Sequence, residues 1–460
     1  MAYETPDGVS RPFFLAPAVF LIFCSVILTA CGDSPAVTPA AKQALPSRPA
    51  VDMAAMVPPE ADSLRGRRAE SPAVPACPFP QHVAHHPDTI LPGRSRSQLD
   101  ADVVAAYEAW KRDYLLEVDA GAAWPPLYRV SFGSDAPERS VSEGIGYGML
   151  LTVLMAGQDP DARTYFDGLW RFARLHPSSI DTRFMAWQVP ARAGGDAAAF
   201  DGDADMALAL LMADRQWGSG GEIDYRREAS LRIEALFESM IGPDSRLPML
   251  GDWVDPYGAH RNQHTPRSSD FMPASFRAFG SVDGRWLDVY QAVLDLVGQM
   301  QATHAPRTGL LPDFIEPDDG GGYRPASAGF LEGPHDGDYH YNAGRLPLRL
   351  GMDGLLQGGQ ALTSLRRIAA FAAARVEGGV ERMGAGFTLD GKPYGDYFTT
   401  FFAAPFAVAL MSDPQYQAAL DALYEAIRAR RENYYEDSIK LLSLMLLSGN
   451  FWTPDHACGR

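Results

Sequence analysis

Between Leu99 and Phe451 apolar residues recur at three- and four-residue spacing, and strand-like alternation is scarce. Helices are predicted at Asp100–Val118, Tyr147–Ala156, Met206–Trp217, Leu287–Gln301, Leu362–Arg375 and Asp437–Ser448, many of them bounded by Gly, Pro or Asp. Met206–Met212 and Leu441–Leu447 are apolar nearly all round, the pattern of inner helices covered by an outer layer. An all-α domain with long loops between its helices is expected. Periodicity alone does not separate a barrel of helical hairpins from another large α fold.

The start of the chain follows a different pattern. Phe13 to Ala30 is almost wholly apolar and ends in Leu28-Thr29-Ala30-Cys31. Small residues at a cleavage point followed at once by cysteine resemble a bacterial lipoprotein signal, with Cys31 as the acylated N-terminus. For a transmembrane helix such a run is barely sufficient, and Pro17 with the small-residue end favours a signal peptide instead. Gly32 rather than aspartate after the cysteine favours, by analogy, outer-membrane retention. The expected organisation is a signal peptide over 1–31, a tether rich in Pro and Ala over 32–80, and one folded domain over 81–460. Export is predicted: an outer-membrane lipoprotein on the periplasmic or cell-surface side, or else a secreted protein.

Composition narrows the partners. With 46% hydrophobic residues the chain can build a large core, and its formal net charge of -17 repels a phosphate backbone. Nucleic acid is therefore excluded, and membrane contact is expected only through the N-terminal lipid. The four cysteines, Cys24, Cys31, Cys77 and Cys458, form no CxxC pair, so neither a zinc ribbon nor a redox motif is present. Cys77 and Cys458 stand near the two ends of the folded domain, where export would permit a disulfide. His82, His85 and His86 complete no recognised ligand spacing, and neither metal nor cofactor is predicted.

Two acidic segments carry the candidate chemistry. The first is Val141-Ser-Glu-Gly-Ile-Gly-Tyr-Gly-Met-Leu150, where Ser142 is positioned to cap a helix. Its three glycines are costly in a helix and imply a close approach to the backbone. Glu143 then lies at a helix mouth, either as a reactive group or merely as a complement to the helix dipole. The second segment crowds Asp201, Asp203 and Asp205 at a helix start. Met206 and Met212 stand where a calcium loop needs glycine and glutamate, so that reading fails. Crowded carboxylates raise one another's pKa, which helps keep a neighbouring acid protonated.

Together these segments resemble glycoside hydrolase family 8. Ser142-Glu143-Gly144 with Tyr147-Gly148-Met149 matches its general-acid segment, and Asp201-Gly202-Asp203 with Met206-Ala207, Ala209, Ala213 and Trp217 follows its signature. Phe200 departs from the usual Ser or Thr. Met185-Ala-Trp187, Asp252-Trp253, Gly309-Leu-Leu-Pro-Asp313, Tyr341-Asn-Ala-Gly-Arg345 and Ile439-Lys-Leu-Leu442 extend the likeness over roughly residues 99–454.

The resemblance implies an (α/α)6 barrel that hydrolyses β-linked polysaccharide with inversion, using Glu143 as general acid and Asp201 to hold the sugar. The usual base position is Asn342, which cannot accept the proton. A branch of the family takes its base from a loop just upstream, and Glu332 in Phe330-Leu331-Glu332 fits that role, with Asp336 and Asp338 as reserves. Trp187, Trp253 and Tyr341 are candidates to stack on sugar rings, and Arg345 to hold a carboxylate or a hydroxyl.

Substrate identity stays open between chitosan and β-1,4- or β-1,3-1,4-glucan. Asp270 either favours a cationic glucosamine unit or caps the following helix. Other readings are a lipid-anchored glycan-binding protein that has lost catalysis, supported by Asn342, and a polysaccharide lyase on a similar fold.

Overall fold

The computed structural model describes residues 74–119, 121, 125–192 and 194–455. Cys31, Cys458, the expected signal segment and most of the expected tether lie outside the described residues. Twelve α-helices occur among the described residues: α1 (Arg96–Tyr114), α2 (Ser142–Leu154), α3 (Ala162–Leu175), α4 (Phe200–Trp217), α5 (Tyr225–Met240), α6 (Pro273–Gly280), α7 (Trp286–Thr303), α8 (Leu346–Gln357), α9 (Gly359–Glu377), α10 (Thr400–Leu410), α11 (Gln417–Ile427) and α12 (Tyr434–Leu447).

The even-numbered helices form a closed ring, each packing on the next from α2 through α12 and α12 returning to α2. Each carries an odd-numbered partner outside it: α3 on α2, α5 on α4, α7 on α6, α9 on α8, α11 on α10 and α1 on α12. This is an (α/α)6 barrel. The sequence pattern matches the two layers. Every residue of α10 is buried, and α4 and α12 are nearly so. By contrast α1 buries a single stripe, Leu99, Val103, Tyr107, Trp110 and Tyr114.

Local chemistry sets the helix limits. A capping box starts α1 at Arg96: the Ser95 side chain accepts from Gln98 N and the Gln98 side chain reaches back. That helix stops before Leu115, because the expected Asp100–Val118 helix gives its last four residues to β1 (Leu115–Val118), paired antiparallel with β2 (Leu127–Val130). Three more short antiparallel pairs decorate the barrel among the described residues. They are β3 (Ser140–Val141) with β4 (Gln188–Val189), β5 (Ile315–Pro317) with β6 (Tyr323–Pro325), and β7 (Ala385–Phe387) with β8 (Pro393–Gly395). Such two-residue and three-residue ladders are too short to show alternation in a sequence.

Packing begins inside the stretch expected to be tether. Ala76 N donates to Gln216 O, Cys77 N donates to Gln216 Oε1 at 2.6 Å, and Cys77 is buried and disulfide-bonded. Gln81 N then donates to Asn450 Oδ1 at 2.8 Å, so this strap closes against the far end of the chain.

Candidate active site

Hairpin connection makes the inner helices run the same way, and their N-terminal ends share one rim. Glu143 lies in the first turn of α2 and Asp201 in the first turn of α4. Asp270 lies just before α6, Arg345 just before α8, and Tyr434 and Tyr435 open α12.

The strand pair β3–β4 delivers Glu143. Val141, not Ser142, is the residue at the α2 cap, and no side chain caps that end; the expected Ser142 cap is absent because Ser142 already belongs to the helix. Its amide instead donates to Trp187 O at 3.0 Å, which seats Trp187 beside the acid-bearing turn. The close approach implied by the α2 glycines comes from the protein itself. A Cβ on Gly144 would meet the Tyr434 hydroxyl at 2.5 Å. One on Gly202 would meet the backbone of Ser142 and Glu143 at 2.5 and 2.6 Å, so glycine there lets α4 bring Asp201 up to Glu143.

Arg345 is the hub. Its Nη1 donates to Asp201 Oδ2 at 2.8 Å, and Nη2 donates to Asn342 Oδ1 at 3.1 Å. Nη1 also lies 3.2 Å from Glu143 Oε1, an ion-pair distance without hydrogen-bond geometry, and that oxygen has no hydrogen-bond partner. Because a guanidinium only donates, the Asn342 oxygen must face it and the amide nitrogen must face away. That nitrogen donates to Glu332 Oε2 at 2.9 Å and to Asp313 Oδ2 at 3.2 Å. One Arg–Asn bridge therefore joins Glu143 to Glu332.

The loop bearing Glu332 is held from below. Asp336 accepts from the amides of Leu331, Glu332 and Gly333 at 2.7, 3.0 and 2.9 Å, while Phe330 and Leu331 pack on a small apolar cluster with Phe314 and Met249. Asp336 is thereby occupied with the loop's own backbone. Asp338 accepts from the Tyr394 hydroxyl at 2.7 Å. Of the three carboxylates considered, only Glu332 reaches Asn342.

Each of the crowded aspartates has its own arginine, yet on top of burial the Asp201 charge still raises the pKa of Asp205 and of Glu143, as their crowding predicts. Asp201 takes Arg345 and, at 3.2 Å, Arg267; Asp203 takes Arg232; Asp205 takes Arg349 at 2.6 Å. Burial alone raises the Asp201 carboxyl, but Arg267 and Arg345 hold it well below the usual carboxylate range. Glu143 goes the other way. Burial raises its pKa, Arg345 opposes, and the Asp201 charge adds to the rise. Glu332 is also raised by burial, against the pull of Arg267 and the Asn342 hydrogen bond. Burial pushes Asp313 up to about 7, opposed by the amides it accepts from, those of Ala343, Asn342 and His340.

Asp270 corrects an expectation. It is 0% exposed and bound by Arg267 Nη2 at 3.0 Å, so its charge meets an internal arginine rather than a bound glucosamine. Burial still raises its pKa to about 6. Among the aromatic candidates, Trp187 and Tyr341 are half-buried and Trp253 is 38% exposed. Trp187 Nε1 donates to Gly194 O at 2.8 Å, Tyr341 stacks on Phe401 at 5.0 Å, and Arg261 lies over the Trp253 ring. Arg267, the anchoring role of Asp336 and the bond from Asn342 to Asp313 were not anticipated. Arg267 left no trace in the sequence, whereas Asp313 ends Gly309-Leu-Leu-Pro-Asp313 and Asp336 stood as a reserve for the base.

Two carboxylates of raised pKa, bridged across a helical barrel's rim, suit acid–base hydrolysis. The model of the family described as glycosyl hydrolases family 8 matches residues 91–449. The chain belongs to that family. A β-glucanase from Niallia circulans is 37% identical over 390 residues, covering 83% of this chain and 92% of that protein. An endoglucanase from Bacillus sp. (strain KSM-330) is 33% identical, covering 82% of each. The apo structure of a β-1,3-1,4-glucanase from Paenibacillus sp. X4 aligns with a TM-score of 0.77 at 38% identity, covering 82% of this chain and 100% of that one. The family 8 protein described here is thus a glycoside hydrolase.

Proposed function

We propose that this enzyme is an inverting endo-hydrolase of β-1,4-linked glucan, mixed-linkage β-1,3-1,4-glucan included. The relatives named β-glucanase, endoglucanase and β-1,3-1,4-glucanase support the substrate class. The observation that carries the reaction is the bridge Glu143–Arg345–Asn342–Glu332, which sets a carboxylate beside the asparagine that replaces the usual base.

Glu143, kept protonated by burial and by the Asp201 charge, gives its proton to the leaving oxygen. Glu332 takes a proton from the water that attacks the opposite face of the sugar. Inverting enzymes hold these two groups roughly 6.5–9.5 Å apart to leave room for that water. A guanidinium and an amide standing between Glu143 and Glu332 are a spacer suited to that gap. Ionised Asp201 fixes the sugar at the cleavage point, and Trp187, Trp253 and Tyr341 carry its neighbours.

Reducing-end release from lichenan, carboxymethyl-cellulose and soluble chitosan tests the assignment. Faster release from either glucan is expected, and faster release from chitosan would overturn it. NMR of fresh product is expected to show the α-anomer first; an initial β-anomer would overturn single displacement. The N-terminal pattern supports an exported enzyme anchored through Cys31. Fatty-acid labelling that disappears in Cys31→Ala is the result expected of it, and labelling that persists would remove Cys31 from that role.

A further inference from the structure

Buried polar atoms without a hydrogen-bond partner gather around Glu143 at the rim: Glu143 Oε1, Tyr434 Oη, Arg139 Nε and Arg345 Nε. Buried polar groups in folded proteins are nearly always paired, so such orphans in one corner point to something bound there. Glu143 and Tyr434 both act on the charge of Arg139, and Glu143 acts on Tyr434.

Arg139 is the unusual member. It immediately precedes β3, so the strand pair that delivers Glu143 also delivers this cation. Its guanidinium lies over the Phe132 ring at 4.2 Å and over the Trp187 ring at 5.7 Å. Among the described residues it has no carboxylate at ion-pair distance. The other arginines of the site are committed: Arg267 to Asp201 and Asp270, Arg345 to Asp201, Arg349 to Asp205 and Arg232 to Asp203. With Asp270 buried against Arg267, the unspent charge beside the acid is positive.

We propose that Arg139 determines substrate choice, donating hydrogen bonds to the hydroxyls of a neutral sugar on Trp187 and repelling the ammonium of a glucosamine unit in the same place. This rests on the glucan reading above and names the residue that enforces it. The chemistry is one-sided. A guanidinium offers five donors and no acceptor, so a hydroxyl satisfies it and an ammonium never does. A like charge forced against a half-buried cation is also poorly screened.

The test measures binding by calorimetry in the Glu332→Gln background, which keeps substrates intact without touching this corner. Cellotetraose and the glucosamine tetramer are titrated, the latter at a pH where its amines are charged, into the parent, Arg139→Met and Arg139→Glu. Arg139→Met keeps an apolar body on Phe132 and removes the charge. It is expected to weaken cellotetraose about tenfold, the scale of one charge-assisted hydrogen bond. Arg139→Glu is expected to bind the glucosamine tetramer about tenfold more tightly than the parent does, with a dependence on salt. Unchanged affinities for both ligands in both variants, with melting temperature retained, would overturn the proposal and leave Arg139 a packing residue. If cellotetraose binds none of the three proteins and the wild-type enzyme releases no reducing ends from lichenan or carboxymethyl-cellulose, the glucan reading fails on its own. The glucosamine tetramer then still decides the role of Arg139, which stands if Arg139→Glu binds it more tightly than the parent and falls if it does not.

Discussion

The side-chain amide of Asn342 holds Glu332 by a 2.9 Å hydrogen bond to Oε2, and Arg345 fixes which way that amide points. Asn342→Asp replaces the donor with a like charge. The Glu332 pKa then rises further and its base form is lost at a higher pH. The acid limb of the kcat/KM profile is expected to move up, with roughly tenfold loss or more below neutrality. An unmoved acid limb would remove Asn342 from control of Glu332.

Glu143→Gln and Glu332→Gln are each expected to lower kcat by about 100-fold to 10,000-fold, the range for general acid–base groups. Oligosaccharide binding and the melting temperature should change little, because both side chains sit at the rim rather than in the core. Near wild-type turnover in either variant would exclude that residue from proton transfer.

Asp336→Ala removes the acceptor shared by three consecutive amides around Glu332. Buried donors left unpaired cost about 1–3 kcal/mol each at most, and the loop can relax to recover part of that. A fall in kcat with KM nearly constant is expected, since the base loses its seat while the aromatic platforms stay. A proportional rise in KM instead would point to a general collapse of the cleft.

Asp201→Asn tests the electrostatics of the acid. The Asp201 charge raises the Glu143 pKa, and neutralising it also frees Arg345 and Arg267 to pull that pKa down. A general acid works only while protonated, so activity is lost as pH rises through its pKa. The alkaline limb of the profile is therefore expected to move to lower pH. An alkaline limb that stays in place would show that Asp201 acts on the sugar alone.

Two glycines make a matched pair for stability. A Cβ on Gly202 meets backbone atoms of Ser142 and Glu143 at 2.5 and 2.6 Å, whereas one on Gly298, within α7, meets nothing within 4 Å. Gly202→Ala is expected to destabilise by about 1–3 kcal/mol through overpacking. Gly298→Ala should stabilise by about 0.5–1 kcal/mol, because an unneeded glycine in a helix costs entropy. Thermal melts that reverse this order would contradict the packing described for α2 against α4.

Much of the barrel was legible in the chain, because inner helices such as α4 and α12 must be apolar all round and periodicity reports that directly. What failed were features made by distant partners. The end of α1 depended on β2, and the α2 cap depended on Trp187, neither visible in a local window. The site divided in the same way. Glu143, Asp201, Asn342 and Glu332, each in a distinctive segment of the sequence, are brought together by the fold around Arg345. The pairing of Asp201, Asp203 and Asp205 with arginines from elsewhere in the fold was not legible, although the Asp201 charge still raises Asp205 and Glu143 as their crowding suggested. Asp270 misled for the same reason, its partner being Arg267.

Arg345 and Arg349, one helical turn apart, reach Asp201 and Asp205, also one turn apart, on a helix that is not their neighbour in the ring. The two rungs cross the lumen and are almost wholly sealed from water. They plug the bore, so a polymer cannot thread the barrel and has to lie across its rim like a rope over a drumhead. A barrel closed in this way is compatible with the endo-action on glucan proposed above, because its rim can receive a chain without a free end having to enter the bore.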